Sequence, residues 1–203
     1  MTSIEKKHPH VARTNSRRKQ VLDAASSCFS RRGFHAASMA DISKAAGMSA
    51  GHIYNYFASK EAIIIAFVQQ NIERVNMLLL DLGQQEDPLQ ALIDCNYNQV
   101  MECLDPMVWA LPLEIFSEAS RNPVIAGLLQ QSDRQSRSQF LTILKTARIA
   151  RGLPADERML DGRINALIAM YEGIAVRAVH DPDVDGEALA NGMRVALTAL
   201  LLE

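Results

Sequence analysis

Residues 37–60 read ASMADISKAAGMSAGHIYNYFASK. The stretch parses as two short helices joined at Gly47-Met48-Ser49. Ser38 stands where a helix needs a cap, and Asp41 three residues on completes a capping box. Met39, Ile42 and the Ala45-Ala46 pair supply the buried side of the first helix. Gly47 makes the sharp turn and Ser49 caps the second helix, to which Ile53, Tyr54 and Phe57 belong. Two helices joined this way can place one in a DNA groove while the other braces it.

Upstream, Val21, Leu22, Ala24, Ala25, Cys28 and Phe29 recur at helical spacing, predicting a helix from Ser16 to Arg32 that Gly33 stops. Residues 1–15 are polar, contain Pro9 and read as a flexible arm. Downstream, Ser59 caps a helix running from about Lys60 to Leu82, about 30 Å long. Further helices are expected over about 88–104, 107–119, 122–151, 156–180 and 187–202, with breaks at prolines and glycines. No segment alternates with the period of a strand. The chain reads as all-α with about nine helices. Residues 16–60 form a three-helix DNA-binding domain with a helix-turn-helix, and 61–203 form a C-terminal helical domain for ligand binding and dimerisation.

The whole chain carries a net charge of only -2, but the charge is unevenly spread. Residues 1–60 hold ten Lys/Arg and three Asp/Glu, net +7; residues 61–203 hold eleven and twenty, net -9. A basic head on an acidic body suits one end near phosphate. Cys28, Cys95 and Cys103 form no CxxC pair, so a disulfide framework or a cysteine zinc site is not expected. Cys95 and Cys103 are eight apart and can share a helical face, which leaves a redox role open. The apolar runs are interrupted by polar residues before they reach membrane-spanning length, and the basic N-terminus has no following apolar stretch. A cytoplasmic location is expected. No glycine-rich phosphate loop, HExxH or GxSxG is present, so an enzyme is not expected, nor a cofactor or a metal. A helical protein-interaction module is the rival reading outside DNA binding.

Gly33-Phe34, Met39-Ala40-Asp41-Ile42, Ala45-Ala46-Gly47-Met48-Ser49, Gly51, Ile53-Tyr54, Tyr56-Phe57 and Lys60-Glu61 together resemble the N-terminal signature of the TetR family of bacterial transcriptional regulators. The signature covers about residues 17–65; the rest is similar only in length and helical layout. Ser38 stands where the family often has Thr, and the capping hydroxyl is kept. The resemblance implies a homodimer that binds operator DNA through its first three helices and releases it when a small molecule enters the C-terminal domain. Most such proteins are repressors; an activator or a corepressor-dependent regulator of the same fold is the alternative.

For the DNA end, small Ala50 and Gly51 let the start of the second helix approach the duplex. The resemblance places His52 at base edges, Tyr54 on base and backbone, and Tyr56 and Lys60 on phosphate. Ser38 and Ser49 are caps that can also bond phosphate. Arg17 and Arg18, with Arg13 and Lys19, can reach backbone or minor groove or remain an ordinary solvated helix start. In the body, Tyr97, Met101, Trp109, Leu113, Phe116 and Phe140 are the candidate ligand contacts, although Met and aromatics equally suit a core. Glu102, Asp105, Glu114 and Glu118 lie near them and could favour a cationic amphiphile. The last two helices carry Ile164, Leu167, Ile168, Tyr171 and Ala175, then Leu189, Met193 and Leu197. Their apolar faces look broad enough to pair with a symmetry mate as a four-helix interface. The effector is expected to be small and apolar or amphiphilic, and the operator palindromic.

Overall fold

The computed structural model describes the backbone from Lys7 to Glu203 and the side chains from Arg13 onward. Among these residues there are nine helices and no strand: α1 (Lys7–Ala36), α2 (Met39–Ala45), α3 (Ala50–Ile53), α4 (Lys60–Gln84), α5 (Pro88–Leu104), α6 (Pro106–Ala119), α7 (Pro123–Ala150), α8 (Glu157–His180) and α9 (Gly186–Leu202). Side-chain caps set most starts. Ser38, Ser49, Asp87, Asp156 and Asp185 each accept an N–H from the first turn that follows. Pro88 fits behind its cap because the first helical N–H needs no partner.

Three boundaries differ from expectation. First, α1 begins at Lys7 rather than near Ser16, with Pro9 tolerated in the first turn; residues 1–6 of the expected arm lie outside the described residues. Second, Gly33 kinks α1 instead of ending it, at φ 76° and ψ 160°. Third, α3 is a single turn. It is continued by tighter bonds such as Tyr56 N–H to the Ile53 carbonyl at 2.9 Å and by one isolated helical bond, Phe57 N–H to the same carbonyl at 3.1 Å, so Tyr54 and Phe57 lie beyond it.

The chain divides into two compact units. One runs to Gln70 and takes in Ala110–Ala126; the other comprises Asn71–Trp109 and Gly127–Glu203. The division therefore does not fall at residue 60. The first half of α4 buries Ile63, Ile64, Ala66 and Val68, and the small head needs that apolar area. Its core also holds Phe29, Phe34, Ile42, Ile53 and Phe57, with the Phe29 and Phe34 rings edge to face at 5.4 Å. By length and composition α4 could cross a membrane, contrary to the sequence reading. Its buried first turns and its Glu73-Arg74 interruption fit a helix of a protein core equally well.

In the second unit, Leu89, Ile93, Leu144, Ile164, Leu167, Leu197 and Leu201 form one apolar cluster. Val100, Cys103, Ile174, Ala190 and Met193 form another. Each fully buried aliphatic side chain stabilises by roughly 1.5–3 kcal/mol. Two buried polar groups pin the helices around these clusters. Asn96 Nδ2 donates to the Ala190 carbonyl at 2.8 Å, and its Oδ1 accepts from the Tyr171 hydroxyl at 2.9 Å. Arg148 is 1% exposed; its Nε donates to the Pro154 carbonyl at 2.6 Å and its Nη1 to that of Leu201 at the end of α9. A guanidinium at the negative end of a helix replaces a carboxylate partner.

Arg148→Ala leaves the buried Leu201 carbonyl and the Pro154 carbonyl without this donor and opens a cavity. The variant should unfold about 2–4 kcal/mol more easily. A urea midpoint equal to that of the parent would refute the role of this group.

Candidate nucleic-acid interface and ligand cavity

The entry to α2 is locked from both sides. Asp41 N–H donates to Ser38 Oγ at 3.1 Å, and Ser38 N–H donates to Asp41 Oδ2 at 3.0 Å. These Ser38 bonds, with the Arg32 guanidinium 2.9 Å from Oδ1, hold the Asp41 carboxyl below its usual range. Buried Ser43 donates to the Met48 carbonyl at 2.9 Å and closes the turn, where Gly47 takes φ 62°. Ser49 Oγ then accepts from His52 N–H at 3.3 Å. Ile53 is fully buried, and that one inward side chain orients the rest of the turn. Ala50, Gly51, His52 and Tyr54 are exposed, with Tyr54 at 53%, while Tyr56 is half-buried. His52 Nε2 lies 3.2 Å from the Tyr56 hydroxyl. With only four residues, α3 has a weak dipole, so the contribution expected from its N-terminus shrinks to close approach by Ala50 and Gly51.

Several expected DNA cations are engaged inside the head. Arg18 Nη1 donates to the Tyr56 carbonyl at 3.0 Å, and the guanidinium lies 4.3 Å from the Phe57 ring centroid. Arg17 donates to Gln20 at 2.7 Å, and Lys19 pairs with Asp23 at the same distance. Lys60 Nζ donates to the Phe34 carbonyl at 2.7 Å and the His35 carbonyl at 3.2 Å. Arg18 thus braces a carbonyl and a ring just after the capped turn and Lys60 braces the end of α1, whereas Arg17 and Lys19 pair with side chains of their own helix. Sequence matching located the positions but not this use.

Glu114 and Glu118, expected near a ligand, grip the end of α1 instead. Glu114 Oε2 accepts from Phe34 N–H at 2.9 Å. Glu118 is buried; its Oε1 accepts from Asn122 at 3.2 Å. His35 Nε2 stands 3.1 Å from Oε2, close enough for an ion pair when the ring is protonated but not aligned as a hydrogen bond. Glu102 faces Arg74 at 3.7 Å, and Asp105 accepts from Met107 N–H at 2.8 Å.

The second unit holds a cavity of about 300 Å³. Trp109 and Phe140 line it, as expected. Tyr97 is 53% exposed away from it, Met101 packs against the Val100 cluster, and Leu113 and Phe116 belong to the other compact unit. The remaining wall comes from Leu92, Cys95, Gln99 and Cys103 on α5, from Leu167, Ile168, Tyr171 and Glu172 on α8, and from Leu197 on α9. No Lys, Arg or His lines it. Burial, and secondarily the nearby thiols, push the Tyr171 hydroxyl up to about 12. Partial desolvation raises the thiols of buried Cys103 and of solvent-exposed Cys95 alike, which favours their protonated forms. Eight residues along one helix separate them by about 12 Å, too far for a disulfide. Burial, then Asp133, raises the Glu172 carboxyl. The Trp109 indole N–H is buried and makes no hydrogen bond of ordinary geometry, although it lies by the Cys103 thiol.

The residues expected at a dimer face are turned inward. Ile164, Leu167, Ala175, Met193 and Leu197 are buried by their own chain, and Ile168, Tyr171 and Leu189 pack half-buried against the same clusters. The breadth of these apolar faces is used by α5, which lies against both α8 and α9. Gly162, Asn165, Ala169, Gly173 and Val176 face solvent on α8, as do Ala188, Gly192 and Val195 on α9.

Comparison with known proteins adds an independent line. Residues 21–67 match the family model for bacterial regulatory proteins of the tetR family, and residues 98–202 match that for the C-terminal part of BetI-type transcriptional repressors. The HTH-type transcriptional regulator UidR of Escherichia coli K12 is 34% identical over 117 residues, 56% of this chain and 57% of that protein. The chain therefore matches little more than half the length of that relative. BetI of Escherichia coli UMN026 is 26% identical over 177 residues, covering 84% of this chain and 86% of that one. Among solved structures, Salmonella enterica GusR superposes with a TM-score of 0.71 at 29% identity, over 92% of this chain and 95% of the other.

Asp41→Asn should lower the melting temperature at neutral pH. The folded carboxyl titrates below its unfolded value of about 3.9, so its stabilisation is complete above that value and lost as pH falls through the folded one. Melting curves of parent and variant should converge on acidification. A gap that stays constant into acid would show that the charge of Asp41 contributes nothing.

Proposed function

The chain belongs to the TetR family of bacterial regulatory proteins, and on that footing we propose that it is a DNA-binding transcriptional regulator acting as an effector-released repressor. The observation that carries the reading is the capped turn Ser49–Tyr54. It offers Ala50, Gly51, His52 and Tyr54 to solvent from a head of net charge +7, with Ile53 anchored beneath. One such turn spans few base pairs, so specificity calls for two heads on a palindromic operator. The second head comes from a homodimer. Its face is the small-residue stripe of Gly162, Ala169, Gly173 and Val176 beside Ala188, Gly192 and Val195, where nothing within 4 Å obstructs the three glycines.

The effector enters the cavity of the second unit. Its only lining charge is the Glu172 carboxylate, among Trp109, Phe140 and Tyr171. That combination favours a small apolar molecule bearing an ammonium group and rejects anions. The unpartnered Trp109 N–H adds a place for one acceptor on the ligand. Helix α6 carries Trp109 in this wall and, about one and a half and two and a half turns later, Glu114 and Glu118, which hold the end of α1. A ligand that shifts α6 moves Glu114 against Phe34 N–H beside the kink at Gly33, which changes the spacing of the heads.

A pool of randomised duplexes tests the DNA reading. Selected sequences should contain two related half-sites, bind far tighter than scrambled duplex at fixed salt, and weaken steeply as salt rises. Val195→Glu should reduce binding to the two-half-site duplex. Equal affinity for scrambled sequence ends the claim.

The sole tryptophan reports cavity occupancy through its fluorescence. Benzyltrimethylammonium should bind and its uncharged isostere neopentylbenzene should not, and Glu172→Gln should weaken the cation about tenfold. Cation affinity should rise with pH through the range in which the raised Glu172 carboxyl ionises. Glu114→Gln should still bind the cation yet lose its effect on DNA affinity. Indifference to ligand charge would overturn the effector class, and a ligand that tightens DNA binding would make the protein corepressor-dependent.

A further inference from the structure

We propose that Tyr56 is a positioning residue for His52, and that the pair reads one base pair per half-site as a unit through His52 Nδ1. The inference rests on the DNA-binding reading and deepens it.

The two side chains lie one helical turn apart. The Tyr56 hydroxyl is 3.2 Å from His52 Nε2, and the rings stand 5.4 Å apart at a tilt of 39°. The anchoring is asymmetric. His52 is exposed on the side opposite Ile53. Tyr56 is half-buried and held at both ends of its peptide: its N–H donates to the Ile53 carbonyl at 2.9 Å, and its carbonyl accepts from Arg18 at 3.0 Å. Arg18 in turn sits over the buried Phe57 ring. The order of support therefore runs from the core through Phe57, Arg18 and Tyr56 to the imidazole. A lone exposed histidine would lose its rotamer freedom only on binding; here much of that ordering is done beforehand.

The hydrogen-bond inventory then selects the base. A neutral imidazole has one donor and one acceptor nitrogen. The DNA backbone offers acceptors and no donors, so on DNA the Tyr56 hydroxyl proton turns outward to phosphate. The hydroxyl oxygen then accepts from His52 Nε2–H. Nδ1 becomes the acceptor, and the base it chooses bears an exocyclic amino group in the major groove, cytosine N4 or adenine N6. A single bond of this kind discriminates about tenfold.

The test uses the full chain and the randomised duplex pool, at one salt concentration, with parent, Tyr56→Phe, His52→Ala and the double variant. Melting temperatures of all four are compared first, and Tyr56→Phe keeps the ring and its packing. The parent should prefer one base pair about tenfold at one position per half-site, through the exocyclic amino group of that pair. Each single variant should lose that preference while keeping it elsewhere, and the double variant should lose no more. If Tyr56→Phe weakens every sequence alike and leaves the preference intact, Tyr56 is a plain phosphate contact and the proposal fails. A preference at that position that is unaffected by His52→Ala, or that persists when the exocyclic amino group of the preferred pair is removed (purine in place of adenine, pyrimidin-2-one in place of cytosine), overturns it as well. Failure of the parent to select any sequence would strike the DNA-binding reading itself.

Discussion

The peptide Gly33–His35 is held from two directions, and the geometry of the head follows from that grip. Lys60, at the first residue of α4, donates to the Phe34 and His35 carbonyls. Glu114, on α6, accepts the Phe34 N–H and lies in van der Waals reach of Gly33, 3.4 Å from where a Cβ would sit. At φ 76° that position is closed to most residues on conformational grounds as well. The end of α1, the start of α4 and the middle of α6 thus share one peptide. Phe34, carried by that peptide, plugs the core against Phe29. Any movement of α4 or α6 must either break these bonds or carry the end of α1 with it.

Most of the fold was legible because this sequence punctuates its helices with side-chain chemistry. Ser38, Ser49, Asp87, Asp156 and Asp185 mark starts, and Pro88, Pro106 and Pro123 mark first turns. Those signals are local, and local signals survive folding unchanged. Tertiary uses were not legible. Arg18 and Lys60 look like phosphate contacts in the sequence, yet each reaches a carbonyl dozens of residues away. Glu172 was overlooked among the residues of α8, and only the packing of α5, α6, α7 and α8 gathers it with Trp109, Phe140 and Tyr171. The inward turn of Leu167 and Leu197 had a weak signal: the opposite faces carry Gly162, Gly173 and Gly192, residues too small to fill a core but suited to close approach.

The cavity has a consistent electrostatic character. Its phenol is raised to about 12 and tied to Asn96, the thiols of buried Cys103 and exposed Cys95 are raised, and so is its one carboxyl, on Glu172 at the exposed rim. Desolvation is the largest cause in every case. A wall of this kind opposes stray negative charge and leaves Glu172 as the group whose ionisation a cation would restore. The same physics argues against thiolate chemistry at Cys95 or Cys103, because a reactive cysteine needs the opposite environment.

The use of cations inside the head bears on how the protein holds DNA. Arg17, Arg18, Lys19 and Lys60 all have intramolecular partners. Using Arg18 on phosphate would require breaking its bond to the Tyr56 carbonyl, and using Lys60 would release the Phe34 and His35 carbonyls, whereas the exposed Lys19–Asp23 pair opens at little cost. Exposed Arg13 and Lys44 are better placed to contact phosphate without that cost. Few phosphate contacts per head mean modest affinity for any single head, whatever the sequence. In the proposed homodimer that deficit would be offset by joining two heads, because the second then binds at a high effective concentration set by the linkage. That gain vanishes when the spacing no longer matches the groove. Under the proposed two-headed arrangement, a head of modest affinity is suited to a switch, since a small change in separation removes most of the binding without any contact within the head being altered.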